Sequence, residues 1–385
     1  MTFYLTIALM FFCIDFANNF NAVATKRFLN YFSLAIFVLV AGTRFETGYD
    51  WQAYTSIYEN SPSLKDIFLL NSEELTFVEM EPLFLFVNVL LKTVCNNVAI
   101  LFFAVALFNG ITIHKLCCAL KVNPSFVFAV YFCVAYLTGQ MTLLRQSIAS
   151  SFVLIALVSM IHERPSKSYF FGLVSLGFQV STLVFTPIFF LKKYKPNTIL
   201  ITFCLFAFVL GAILIDDIVI TLLALLLKLT SGNIAIKLAE YIDVGQFNSS
   251  FGSWVYLVIN LIVLRLTYTM GIKQKWQNEF LVYFYSTLLM IFALTLLSHQ
   301  PIFWNRIQLV VVPLQAIFLF KFSLTLGFRQ RLIFLIAIYL ASFMMLVYSL
   351  LKENMSPFMP YQSIIEHIYS NERGDGAYRL ESVVQ

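Results

Sequence analysis

The chain has 385 residues, of which 60% are hydrophobic and 12% are charged, and its formal net charge is +5 at pH 7. A soluble domain carries about 25% charged residues, so this composition excludes a soluble globular protein and predicts an all-helical, polytopic integral membrane protein. The few basic residues form no continuous stripe, which argues against a nucleic-acid partner.

Apolar segments long enough to cross a bilayer recur along the whole chain. The first lacks a basic n-region and a small-x-small cleavage site, so we expect a retained span rather than a removed signal peptide. Ten full spans are predicted, at residues 2–19, 27–44, 98–115, 124–141, 145–162, 197–215, 253–271, 279–298, 302–321 and 331–351.

Two further apolar stretches do not fit a simple span. Residues 82–95 are too few to cross, and residues 168–191 are broken near Gly177 and Gln179. Lys and Arg mark the cytoplasmic side of membrane proteins. All basic pairs share one side only if both stretches return to the side that they entered. The prediction is therefore about ten full transmembrane helices plus two re-entrant or broken hairpins; twelve full spans are the alternative.

This topology predicts one polytopic membrane domain at residues 1–351 and an extracytoplasmic C-terminal tail at 352–385. Extracytoplasmic loops are expected at 45–81 and 216–252. Residues 44–81 hold eight acidic side chains against two basic ones. We expect the end of the tail, after about residue 371, to be flexible.

Three arginines fall at the same predicted membrane face. Arg44 ends the second span, Arg145 opens the fifth and Arg306 opens the ninth. A single arginine at this depth is often only a snorkelling anchor. A guanidinium stays protonated and binds phosphate in a bidentate way, so three of them at one depth predict a pyrophosphate site.

Acidic and imidazole side chains near these arginines are the candidates for proton chemistry. Glu46 and Asp50 lie four residues apart and share a face if the segment is helical. Either could act as a base on a hydroxyl, although a salt-bridged loop would use the same residues. His299, just before the ninth span, is a further candidate base.

The remaining candidates are aromatic and amide side chains near these charges. Tyr49, Trp51 and Tyr54 follow Arg44 in the outer loop, while Gln146 can donate a hydrogen bond beside Arg145. Gln179 lies at the predicted break, which indicates either a cavity or a packing kink. No metal-binding, ATP or dinucleotide motif is present, so we expect no metal and no cofactor.

Four short motifs follow one another along the chain. Gly42-Thr-Arg44 precedes Gly48-Tyr-Asp50 and Tyr54, and Leu144-Arg-Gln-Ser-Ile-Ala149 comes next. Asn305-Arg306 and a Pro-Tyr pair ending in Tyr361 complete the set. Together they resemble the EpsG-like branch of the Wzy-type polysaccharide polymerases. The chain departs from that pattern at Phe178-Gln179, where the family often has a histidine.

The resemblance implies a glycosyltransferase of the bacterial inner membrane with its active site facing the periplasm. Such an enzyme transfers a growing glycan from undecaprenyl pyrophosphate to the non-reducing end of a lipid-linked repeat unit. The product is O-antigen of lipopolysaccharide, or exopolysaccharide. The three arginines would hold the leaving group, and Glu46 or Asp50 would face the acceptor.

The resemblance also implies a fold similar to the C-type glycosyltransferase membrane folds. The expected partners are the lipid-linked oligosaccharide, the bilayer and a chain-length regulator protein. Two other functions use similar features: a flippase of lipid-linked oligosaccharide and a membrane polysaccharide acyltransferase. A flippase should show repeated halves and midplane charge, and an acyltransferase usually relies on an intramembrane histidine.

Overall fold

The computed structural model describes residues 1–20, 23–69, 80–191, 193–198, 201–202, 206, 251–296, 301–370 and 374–384. In these ranges the regular structure is helical, apart from one isolated antiparallel bridge between Arg44 and Ser363. The predicted all-helical polytopic fold is confirmed. The predicted outer loop at 216–252 falls almost wholly outside the described residues.

The helices follow one another in this order: α1 Thr2–Phe20, α2 Val23–Gly42, α3 Trp51–Asn60, α4 Leu64–Leu69, α5 Pro82–Val94, α6 Ala99–Ala119, α7 Pro124–Val134, α8 Tyr136–Met141, α9 Leu144–Ile161, α10 Pro165–Phe178, α11 Thr186–Leu191, α12 Phe251–Lys273, α13 Asn278–Leu296, α14 Pro301–Ser323, α15 Phe328–Leu350, α16 Ile364–Ser370 and α17 Gly376–Val384. Two 3-10 helices, Val180–Phe185 and Glu353–Phe358, complete the list for the described part. Helices α5, α7 and α10 each begin at proline, whose missing N–H costs nothing at a first helical position.

The chain divides into two compact units. The first contains residues 1–186 and 312–385, and the second contains residues 187–311. Within the second unit, α12 packs against α13, and the Tyr285 hydroxyl donates to the carbonyl oxygen of Tyr194 at 2.8 Å. The first unit holds most of the predicted site residues.

Seven helices of the described residues are long and apolar enough to cross a membrane: α2, α6, α9, α12, α13, α14 and α15. Helix α1 is a shorter apolar helix at the first predicted span. The span predicted at 124–141 is divided into α7 and α8 at Ala135, which leaves the helical conformation. A uniformly apolar sequence carries no signal for such a break. The span predicted at 197–215 lies largely outside the described residues.

The predicted break after Phe178 is present. Helix α10 ends there, Gln179 is extended, and a 3-10 helix follows. Gly177 lies so close to α5 that an added Cβ would be 2.6 Å from the Leu83 side chain. Close packing against α5 therefore accompanies the break.

Helices α2 and α6 run antiparallel. Gly42, at the end of α2, faces Phe103 near the start of α6. About two turns further along α6, Gly110 faces Leu34 of α2. Since α6 begins where α2 ends, the residues that follow Gly42 lie at the same end of the first unit as the start of α6.

A buried polar network joins α6, α8 and α9. The Asn109 amide donates to Gln140 Oε1 at 3.0 Å and to Ser147 Oγ at 2.9 Å, and it accepts from Ser151 Oγ at 2.7 Å. Hydrogen bonds between apolar helices fix their register because the alternative is an unsatisfied group.

Asn109→Ala should destabilise the protein by about 1–2 kcal/mol, because three buried partners lose a hydrogen bond at once. The measurement is the thermal midpoint of the purified protein in detergent. Asn60→Ala is the matched control, since the Asn60 amide is exposed and bonds only within its own helix. Equal midpoints for the two variants would contradict a role for the network.

Candidate functional site

Residues 43–50, here called the arginine loop, connect α2 to α3. The loop is not helical, and Glu46 and Gly48 have positive φ angles of 44° and 105°. The condition under which Glu46 and Asp50 would share a helical face is therefore not met, and that expectation is wrong. Gly48 lies against the carbonyl oxygen of Met141, where an added Cβ would overlap it.

Arg44 is enclosed, with 1% of the residue exposed. Its Nη1 donates to the carbonyl oxygens of Ala41 at 3.1 Å and Gln140 at 2.7 Å. The guanidinium lies 4.3 Å from the centroid of the Phe102 ring, which suits a cation–π interaction. Nε and Nη2 have no hydrogen-bond partner among the described residues, so these are the donors that Arg44 can offer to an anion.

Arg145 lies in the first turn of α9 and is more accessible. Its Nη1 is 2.6 Å from Glu81 Oε2, and the two side chains are 30% and 17% exposed. Glu81 precedes Pro82 at the N-terminus of α5. Glu81 was not predicted as a site residue from the sequence, where it is one of eight acids in the outer loop. The available signal was an acid directly before an apolar helix that begins at proline.

Tyr54 interacts with both arginines. It is buried on α3 and interacts electrostatically with Arg44, Arg145 and Asp50. Burial raises the pKa of the Tyr54 phenol, and the negative charge of Asp50 raises it further. The hydroxyl therefore stays protonated at neutral pH and can donate a hydrogen bond. The structure thus brings Arg44, Asp50, Tyr54 and Arg145 together, with Glu81 beside them.

The aromatic candidates divide between the cluster and the tail. Trp51 packs against the apolar cluster that contains Tyr54, and its indole N–H has no partner among the described residues. Tyr49 donates to the carbonyl oxygen of Asn354 in the tail, and burial raises its pKa to about 12. Tyr361 donates to the carbonyl oxygen of Val40 at 3.0 Å.

Gln179 lies at the break after α10, and Gln146 on α9 contacts the 3-10 helix that follows it. Gln146 is buried, and its Oε1 accepts from Ser181 Oγ at 2.6 Å. The Gln179 carbonyl oxygen accepts from Thr182 Oγ1 at 2.8 Å. Gln146, which follows Arg145, is therefore hydrogen-bonded to the 3-10 helix after the break.

Glu46 faces the tail rather than the arginines. Its Oε2 accepts from the Gly376 N–H at 3.1 Å, and its carbonyl oxygen accepts from Arg379 Nη2 at 3.3 Å. Residues 376–384 of the tail form a helix with a buried Arg379, and the flexibility expected after residue 371 stays a prediction. Of the two predicted acids, Asp50 is the one coupled to Tyr54.

The remaining predicted residues do not enter this site. Arg306 lies on α14 and belongs to the second unit. Its predicted place in a cluster with Arg44 and Arg145 therefore stays a prediction. His299 lies outside the described residues. In the described ranges, no group of three His, Cys, Asp or Glu side chains could hold a metal ion.

Seven long apolar helices among the described residues define a multi-pass membrane protein. Arg44 and Arg145, with carboxylates beside them, form its candidate anion site. The model of the EpsG family matches residues 27–363, and the chain belongs to the EpsG family, the EpsG-like branch of Wzy-type polymerases. No curated protein and no solved structure matches the chain. The expected likeness to C-type glycosyltransferase folds therefore stays a prediction.

Proposed function

We propose that this protein is a polysaccharide polymerase that transfers a growing glycan from undecaprenyl pyrophosphate to a lipid-linked repeat unit. The observation that carries the proposal is the partly exposed Arg145, held at Glu81 and coupled through Tyr54 to Arg44 and Asp50. Membership of the EpsG family supports the same reading. The products would be O-antigen or exopolysaccharide, made at the periplasmic face of the inner membrane.

The arginines would act on the leaving group. When the bond between the anomeric carbon and the diphosphate oxygen breaks, negative charge grows on the diphosphate. Donors that are already oriented toward this charge lower the barrier. Arg145 presents its charge at a partly exposed position, and the N–H groups on Nε and Nη2 of Arg44 donate to no partner among the described residues.

A carboxylate would act on the acceptor. The hydroxyl of the incoming repeat unit becomes a better nucleophile as its proton passes to a base. Glu81 is paired with Arg145 in this structure, and a diphosphate that binds Arg145 would compete for that pairing. The base role therefore fits Glu81 or Asp50 better than Glu46, whose carboxylate is bonded to the tail.

The orientation rests on charge segregation in the first unit. Basic residues collect where α2 begins, where α6 ends and where α15 begins, which is the end opposite to Arg44. Positive charge marks the cytoplasmic side. Helix α5 supports a hairpin at 82–95, because it has 13 residues and packs along the short α3, with Phe84 against Tyr54 and Cys95 against Tyr58.

The test is reconstitution. Purified protein in vesicles with undecaprenyl-pyrophosphate-linked repeat units should give a ladder of products longer than one repeat. Translocation of the lipid-linked units without lengthening would instead indicate a flippase and would overturn the proposal. A deletion strain should accumulate single-repeat product in place of a ladder.

Tyr54→Phe should slow chain lengthening about fivefold, since it removes the hydrogen bond of the Tyr54 hydroxyl with Arg145, worth about 1 kcal/mol, and leaves the ring in place. The measurement is the rate of product lengthening in vesicles. Tyr58→Phe is the matched control on the same helix, because the Tyr58 hydroxyl donates to the Cys95 carbonyl oxygen and not to a group of the arginine site. Equal rates for both variants would exclude a role for the Tyr54 hydroxyl.

A further inference from the structure

The C-terminal strap, defined here as residues 354–370 and 374–384, covers the arginine loop. Three main-chain hydrogen bonds join the strap to the loop. The N–H of Phe45 donates to the Gln362 carbonyl oxygen at 2.9 Å, and the N–H of Ile364 donates to the Thr43 carbonyl oxygen at 2.8 Å. The N–H of Gly48 donates to the carbonyl oxygen of Pro357 at 3.0 Å. The strap therefore follows the loop on both sides of Arg44.

Arg379 holds the strap together and ties it to the loop. It is 6% exposed, and its Nη1 donates to the Pro360 carbonyl oxygen at 2.9 Å. Its Nη2 donates to Gln362 Oε1 at 2.9 Å and to the Glu46 carbonyl oxygen at 3.3 Å. Asp375 completes the arrangement with an ion pair at 2.9 Å. One guanidinium thus contacts the strap at three points and the loop at a fourth.

This cover conflicts with any direct role of Arg44 on a substrate in the closed arrangement. Arg44 is 1% exposed, yet two of its charged donors have no partner among the described residues. Buried donors without acceptors are costly, so the arrangement favours a bound acceptor there. A diphosphate headgroup can reach these enclosed donors only if a covering segment moves, and the strap is bonded to the main chain on both sides of Arg44.

We infer that the C-terminal strap is a closing element of the site, which opens to admit a diphosphate to Arg44 and closes over it. The inference rests on the proposed function, because it takes Arg44 to contact the diphosphate. It adds a gating step to that function, and it assigns to Arg379 the role of holding the strap against the loop in the closed state. Closure would exclude water from the departing diphosphate, as lids do in other transferases.

The two ends of the strap differ in their contacts. Met355 and Phe358 are buried and hold its first residues in the core. Helices α16 and α17 suit local opening, because they have only seven and nine residues and their apolar side chains Ile368, Tyr369 and Tyr378 are largely exposed. Segments with few buried apolar contacts open at a lower free energy than the core of a protein. Opening would break hydrogen bonds at the loop and leave α2, α6 and α9 packed.

A disulfide across the strap tests the inference. Thr43 and Ile364 are opposite residues of the antiparallel contact, and such residues have Cα atoms about 5.5 Å apart, which suits a disulfide. The variant Thr43→Cys/Ile364→Cys leaves Arg44 and Arg379 unchanged. Inorganic pyrophosphate binding and chain lengthening are each measured in the oxidised and in the reduced protein, with both single-cysteine variants as controls.

The expected result is that oxidation lowers pyrophosphate affinity and the lengthening rate at least tenfold, that reduction restores both, and that the single variants do not respond. Equal affinity in the oxidised and reduced double variant would overturn the gate. So would a reduced protein that does not bind pyrophosphate. A protein that binds pyrophosphate only when reduced but never lengthens product would retain the gate and refute the polymerase.

Discussion

Arg145→Ala is expected to stop chain lengthening while the protein still inserts into the membrane. Arg145 is the accessible arginine of the site, and its side chain is available to the diphosphate as soon as the Glu81 pairing is exchanged. Loss of one donor that stabilises transition-state charge typically costs a factor of about 10² to 10³ in kcat. The measurement is the length distribution of polymer from a deletion strain that carries the variant.

Two further variants make this result specific. Arg145→Lys keeps the charge but loses the planar fork, so it should retain only part of the activity. Arg164→Ala removes an exposed arginine from the opposite end of α9 and should leave polymer lengths unchanged. Wild-type polymer lengths in Arg145→Ala, at equal membrane abundance, would end the assignment of this residue.

Gly48→Ala is expected to give the largest loss of stability among single substitutions in the arginine loop. Gly48 has a φ of 105°, where a side chain is strained, and an added Cβ would overlap the carbonyl oxygen of Met141. Strain of this kind costs about 1–3 kcal/mol before the overlap is counted. The thermal midpoint in detergent should fall, and chain lengthening should fall with it.

Gly327→Ala is the matched control for this substitution. Gly327 has a φ of −63°, and the nearest neighbour of an added Cβ is the Gln330 side chain at 3.9 Å. Its expected cost is below about 1 kcal/mol, since alanine is only a weaker helix N-cap than glycine. If Gly48→Ala unfolds at the same temperature as Gly327→Ala, the steric account of the arginine loop is wrong.

The sequence was informative wherever a single property decides the structure. Hydropathy predicted the long helices, and glycine with a polar residue in an apolar stretch predicted the break at Gln179. Charge at the ends of apolar segments pointed to Arg44 and Arg145, which the structure couples through Tyr54. These signals are local, so they do not depend on which helices become neighbours.

Contacts between distant segments left no comparable signal. The pairing of Arg145 with Glu81 depends on where α5 lies, which hydropathy does not determine. The carboxylate of Glu46 points to the tail because a positive φ and the Gly376 N–H direct it there. A helical spacing argument for residues 46 and 50 could not detect a loop whose conformation is set by residues near the other end of the chain.

The bridge between Arg44 and Ser363 closes a contact between residues more than 300 positions apart. At a translation rate of about 5–20 residues per second, roughly 15 to 60 s separate the synthesis of these two residues. During that interval Arg44 and the arginine loop are present in the nascent protein, but the C-terminal strap that covers them has not yet been made. The contact at Arg44 can therefore form only after the C-terminal strap has left the ribosome and folded back onto a segment that was made much earlier.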